Sequence, residues 1–191
     1  MRAKIIAILV CIAITFGIAC VAISVLTSPY SSNPHNSSQP HIEARGTVAW
    51  VHDGDTITID LTWVDQSREG ITVGKRESIR FSGGIDAPEL EDTGGYEAKN
   101  RVSELCTPGR EIILDLDDSS YLNSGTPYRD HYGRLVAVIY VNENGRWINV
   151  NADVLRWGQQ AYPNHDWLKY TWMHTEFDYQ VWLRSDYPYL R

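Results

Sequence analysis

From residue 46 onward the apolar positions fall into short runs whose period changes along the chain. At 46–51 and 56–63 β-branched and aromatic residues dominate, and in the second run Thr56, Thr58 and Asp60 alternate with Ile57, Ile59 and Leu61. That two-residue period predicts a half-buried strand. The Asp53-Gly54-Asp55 stretch between the runs reads as a hairpin turn. A polar excursion at 65–74 precedes a third strand at 77–84. At 94–105 the spacing of Ala98, Val102 and Leu105 predicts a helix, stopped by Thr107-Pro108-Gly109. Strands are expected again at 110–116 and 135–141, separated by a loop at 117–128 and followed by a turn at 142–145. A second helix is expected at 149–157, closed by Gly158. A third is expected at 165–183, where Trp167, Tyr170, His174, Phe177 and Val181 recur at three- and four-residue steps as a packing stripe. Five strands and about three helices suit a small α+β barrel.

The N-terminus follows a different pattern. Residues 5–26 form an unbroken apolar run behind Arg2 and Lys4. It is long enough to span a bilayer as a helix, and the charges before it keep the N-terminus inside, so that the rest is translocated. An uncleaved signal-anchor is favoured over a cleaved signal peptide, with a lipid-attached Cys20 as a third option. Residues 27–42, rich in Ser, Asn and Pro, read as a flexible linker, and residues 43–191 as the folded domain. Asn36-Ser37-Ser38 matches a glycosylation acceptor, although a plain linker is the favoured reading. The expected location is therefore extracytoplasmic, on the membrane through the N-terminal helix, or secreted if that segment is cleaved.

Charge narrows the function classes. The formal net charge is -7, and removing Arg2 and Lys4 from the 17 basic residues leaves 15 against 24 acidic ones. This counts against a tight, sequence-independent nucleic-acid-binding module, which relies on a basic surface. It counts less against an enzyme, which needs only local positive charge. Cys106 is the one cysteine beyond the apolar N-terminus, so no disulfide can form within the domain; it is expected to be a small buried residue. The six histidines are scattered, with no zinc-like pairing to nearby cysteines; His52 and His131 are neutral neighbours of the motifs described next.

Three acidic clusters carry candidate chemistry, in this order: Asp53-Gly54-Asp55-Thr56, Ile85-Asp86-Ala87-Pro88-Glu89 and Asp130-His131-Tyr132-Gly133-Arg134. Asp55 lies just past a turn and Asp86 at a strand end. Brought together, two such carboxylates suit calcium, which takes several oxygen ligands in irregular geometry. Glu89, presented by the rigid Pro88, is placed to accept a proton from an attacking water. Arg134 opens a strand with a guanidinium that binds phosphate bidentately and stabilises charge growing in a transition state. Carboxylates for a hard cation, a free Glu and nearby arginines suit phosphodiester hydrolysis.

The ordered triplet, from about Gly46 to about Asn164, resembles the thermonuclease family, the staphylococcal-nuclease-like enzymes. The resemblance implies a five-stranded OB-type barrel with three helices, a fold that often binds extended nucleic acid on one face. It further implies Ca2+ held by Asp55, Asp86 and the Ala87 carbonyl, Glu89 as general base, and Arg134 as the transition-state cation with Asp130 orienting it. Substrates would be DNA and/or RNA, and products would end in 3′-phosphate. The protein is expected to act as a monomer. The family's second arginine precedes the metal Asp by five positions, but here that position is Phe81 and Arg80 is one residue earlier. A one-residue slip turns a strand side chain to the wrong face, whereas a bulge at Gly83-Gly84 keeps Arg80 aimed at the site. Tyr162 stands near where family members carry a base-stacking Tyr, and buried packing is an equal alternative for it. The competing function is a non-catalytic binding module of the same fold at the cell surface.

Overall fold

The computed structural model describes residues 40–187. The apolar run at 5–26 and nearly all of the linker lie outside them. Among the described residues no helix is long and apolar enough to cross a membrane.

The alternating runs become strands β1 (Ala44–Val51), β2 (Thr56–Val64), β3 (Arg76–Phe81), β4 (Glu111–Leu116) and β5 (Leu135–Glu143). β1 and β2 form an antiparallel hairpin, β3 adds to β2, and β4 lies between β1 and β5. The sheet closes where β3 and β5 pair in parallel, with Ile79 opposite Leu135, Arg80 opposite Val136 and Phe81 opposite Ala137. Closure removes the exposed sheet edges and gives a five-stranded barrel of the OB type. Its interior is filled by Ile57, Ile59, Ile79, Phe81, Leu114, Leu135 and Ile139, all buried.

Helix α1 (Gly95–Leu105) buries Ala98, Val102 and Leu105, the residues its spacing singles out. α2 (Tyr121–Ser124) is a single turn inside the stretch expected to be loop. α3 (Val150–Ala161) is capped by the Asn149 side chain, which accepts from the Ala152 N–H at 2.9 Å. Arg101 on α1 meets Asp153 on α3 through two hydrogen bonds of 2.7 and 2.8 Å. Cys106 is buried and free, and burial pushes its thiol up to about 12, which keeps it unreactive.

Three expectations are corrected. A sixth strand, β6 (Arg146–Asn149), pairs with β5 beyond the Asn144-Gly145 turn; four residues are too few to show a period. Gly158 does not close the second helix, which runs on to Ala161. The third helix expected at 165–183 does not form. Apart from α4 (Tyr179–Trp182), this segment is a chain of turns.

The reason is that the segment's backbone groups bond across the fold. The Trp167 carbonyl accepts from the Asp86 N–H, the Tyr170 N–H donates to the Gly84 carbonyl, and the Glu176 N–H donates to the Asp117 carboxylate. Those partners replace the helical ladder. The stripe divides accordingly, with Trp167 and Phe177 buried and Tyr170 and His174 on a cleft wall.

Asp117 pins this segment to the barrel. Its carboxylate accepts from the Ser82 and Thr175 hydroxyls, the latter at 2.6 Å, and from the Ser119 N–H at 3.1 Å. Burial is the main cause that raises its pKa above the ordinary carboxylate value, against the Ser82 and Thr175 hydrogen bonds. The native state then holds the Asp117 proton at pH values where the unfolded chain has released it. Its contribution to stability is therefore largest below the unfolded pKa and falls as pH rises through the folded one. Asp117→Asn is expected to gain on the wild type as pH rises through that window. Melting temperatures of the pair across acid to neutral pH check this; a gap that does not change with pH contradicts it.

Candidate active site

Barrel closure brings the sequence clusters together. Arg80 sits on β3 opposite Thr56 of β2 and Val136 of β5, and Arg134 immediately precedes β5. Ile79 and Phe81 point into the core, so Arg80 between them points outward. It faces a cleft of about 600 Å³ that is also lined by Asp55, Asp86, Glu89 and Arg134.

The extra residue before Asp86 is absorbed after the strand has ended. Gly83 and Gly84 adopt φ of +87° and +75°, which side-chain-bearing residues rarely reach. They turn the chain so that the 85–89 loop passes back over Arg80. The slip alternative would turn the side chain at position 81 outward, but Phe81 is only 2% exposed and its ring fills the core.

Asp55 is the hub of the site. One carboxylate oxygen meets Arg80 Nη1 at 2.8 Å and accepts from the Thr56 hydroxyl at 3.0 Å. The other accepts from the Ala87 N–H at 2.8 Å. Arg80 Nη2 donates to the Ile85 carbonyl at 2.5 Å. One ion pair thus joins the β1–β2 turn, β3 and the 85–89 loop. Gly54 permits this close approach, since a Cβ there would lie 2.6 Å from the Cβ atoms of both Ala87 and Ala98. The Gly of the first motif serves packing of the turn onto the second motif and onto α1.

Asp86 faces Arg80 at 3.8 Å on one oxygen and Lys169 at 3.6 Å on the other. Its backbone is held by the C-terminal segment, with His165 Nε2 2.7 Å from the Asp86 carbonyl, where it acts as donor. Burial, and then the neighbouring Asp55 charge, raise the Asp86 pKa; burial raises that of Asp55, against the pull of Arg80. Glu89 is exposed on the cleft wall just beyond the buried Pro88. Arg134 is oriented by Asp130, to which its Nε donates at 2.7 Å and its backbone N–H at 3.0 Å, and its Nη1 lies 3.4 Å from the Thr56 hydroxyl.

Tyr162 lies elsewhere. Its ring covers Gly94 and stands edge-on to Trp157, and it does not line the cleft. Of the two neutral histidines, His131 lines the cleft, whereas His52 bonds to Trp50 and Thr58 outside it. Sequence reading missed Lys169, His165 and the 170–175 wall, because a helical stripe conceals which residues a turn will expose.

The donor set fits a hard cation. Two carboxylates whose pKa values are raised chiefly by burial share Arg80, at 2.8 and 3.8 Å, and a cation between them would offset the charge that each adds to the other. Asp55 and Asp86 are the groups that would hold it. A second group with metal-ligand spacing, His41, Glu43 and Asp115, has its ligand atoms within 4.8 Å of one another and does not line the cleft. There the buried Glu43 already pairs with Arg68 and accepts from the Leu116 N–H at 2.7 Å, tying β1 to β4.

Gly84 carries the test of this geometry. A Cβ there would stand 2.9–3.0 Å from the Tyr170 and Thr171 backbone, at a φ that already strains it. Gly84→Ala is expected to destabilise by about 1–3 kcal/mol, read as a lower urea midpoint. An unchanged midpoint would mean that the loop and the C-terminal segment are not locked as described.

The chain is 26% identical over 140 residues to an uncharacterized protein of Methanocaldococcus jannaschii, covering 62% of this chain and 58% of that protein's length. Residues 78–166 match the family described as staphylococcal nuclease homologue, a span that takes in the second and third motifs and begins after the first.

Proposed function

We propose that this protein is a calcium-dependent nuclease that hydrolyses phosphodiester bonds of DNA and/or RNA outside the cytoplasm, held at the membrane by its N-terminal segment. The observation that carries the reading is the convergence of Asp55, Asp86, Glu89, Arg80 and Arg134 on one cleft. The match to the staphylococcal nuclease homologues supports a nuclease-type hydrolase acting on nucleic acid. The apolar run at 5–26 supports the membrane placement.

Charge in the cleft supports the need for a metal. Six carboxylates line it (Asp53, Asp55, Asp86, Glu89, Asp117 and Asp130) against three arginines. A phosphodiester brings further negative charge, and without a cation its approach is repelled. When bound, calcium supplies that neutralisation and polarises a phosphoryl oxygen.

The remaining work belongs to side chains. Arg134, fixed by Asp130, presents its terminal nitrogens to the phosphate and stabilises the charge that grows as the bond to water forms. Arg80 supplies a second guanidinium beside the metal carboxylates. Glu89 takes a proton from the attacking water as its oxygen bonds to phosphorus. The bond from phosphorus to the 5′ oxygen breaks in line, the departing oxygen takes a proton from solvent water to become a hydroxyl, and a 3′-phosphate remains.

Cleavage of labelled single-stranded DNA by the full chain, with calcium and with chelator, tests the reading. Glu89→Gln is expected to slow cleavage by about 100-fold or more while keeping the rise in melting temperature that calcium produces. Asp86→Ala is expected to lose that rise. Near-normal cleavage by the Gln variant would remove Glu89 as the base, and cleavage untouched by chelator would remove the metal.

A further inference from the structure

The Asp86 carboxylate is bracketed by two cations that are held in different ways. Arg80 faces one oxygen at 3.8 Å, and Lys169 Nζ faces the other at 3.6 Å. Arg80 is fixed by Asp55 at 2.8 Å and by the Ile85 carbonyl, and its side chain is only 12% exposed. The Lys169 side chain is 58% exposed, and its contact with Asp86 is an ion pair rather than a close hydrogen bond. Lys169 lies beyond the residues that match the family, and it does not line the cleft.

The backbone places Lys169 there. His165 donates to the Asp86 carbonyl, the Trp167 carbonyl accepts from the Asp86 N–H at 3.0 Å, and the Tyr170 N–H donates to the Gly84 carbonyl at 3.3 Å. The chain before and after Lys169 is thus bonded to the loop that carries Asp86, so the lysine stem starts beside that carboxylate. Its ammonium also stands 5.4 Å from the centre of the Tyr170 ring, a cation–π partner that does not depend on Asp86.

We propose that Lys169 is the resident counter-ion of Asp86 and lowers the calcium affinity of the site, so that the cleft fills only in the weak-affinity range of extracellular calcium modules. The inference rests on the nuclease reading and names a regulation of its metal site. A calcium ion on Asp55 and Asp86 has to share Asp86 with an ammonium, and like charges at such range oppose each other. Calcium affinity is tuned by the charge of the ligand set, from which the lysine subtracts one. An exposed lysine–carboxylate pair is weak, so a divalent cation outweighs it instead of being shut out.

Calcium titration calorimetry on the full chain tests this, with wild type, Lys169→Met and Lys169→Arg compared. Lys169→Met keeps a long stem and removes the charge; it is expected to bind calcium about threefold to tenfold more tightly than the wild type. Lys169→Arg keeps the charge and is expected to bind as the wild type does. The opposing charge is exposed, so the gap between the Met variant and the wild type narrows as salt is raised to about 1 M. Equal or weaker binding by the Met variant, or a gap that salt does not alter, overturns the proposal while the wild type's calcium binding leaves the nuclease reading in place. Failure of all three chains to bind calcium overturns it too, and cleavage of labelled DNA by the wild type then decides the nuclease reading separately.

Discussion

The buried pair of Asp55 and Arg80 is the constraint on which the rest of the site depends. Asp55 is 7% exposed, and its carboxylate also takes the Thr56 hydroxyl and the Ala87 N–H. Removing two charges from water costs several kcal/mol per ion, and their attraction repays this only when the geometry is good and the other lone pairs are filled. Here the Thr56 hydroxyl and the Ala87 N–H take two of them. The pair therefore acts as a positional lock as much as a source of stability: the β1–β2 turn, the end of β3 and the 85–89 loop can each satisfy it in one relative arrangement.

That lock explains which parts of the site were legible in the sequence. Asp55 and Arg134 stand at strand ends, where the two-residue period stops, Asp86 and Glu89 stand in the loop that follows β3 rather than at its end, and strand closure then puts all four around one cleft. Arg80 was ambiguous because strand period alone does not say where an extra residue is taken up. The answer lies in backbone conformation at Gly83 and Gly84 and in the core's demand for Phe81. A glycine pair advertises the possibility of a turn, but a buried phenylalanine decides it.

The C-terminal segment was misread for a physical reason of the opposite kind. Trp167, Tyr170, His174, Phe177 and Val181 satisfy a helical spacing, yet backbone groups near them find partners on Asp86, Gly84, Asn123 and Asp117. Hydrophobic period is a local signal, and these partners are far away in sequence. Gly158 was misread in the same way: the residue is glycine because a Cβ would lie 2.4 Å from the Trp167 ring, not because the helix ends there. The sixth strand and the single-turn helices were too short to carry any period.

The same segment forms the wall of the cleft that carries no carboxylate or guanidinium. A folded domain with more carboxylates than basic groups repels a polyanion at long range, so affinity has to be generated locally. Arg80 and Arg134 are the cleft guanidiniums that would supply it at a phosphate, with a cation held by Asp55 and Asp86 as proposed above. Trp172 stands on the wall that the C-terminal segment builds. Holding that wall by hydrogen bonds to the same loop that carries Asp86 ties the aromatic end of the cleft to its ionic end.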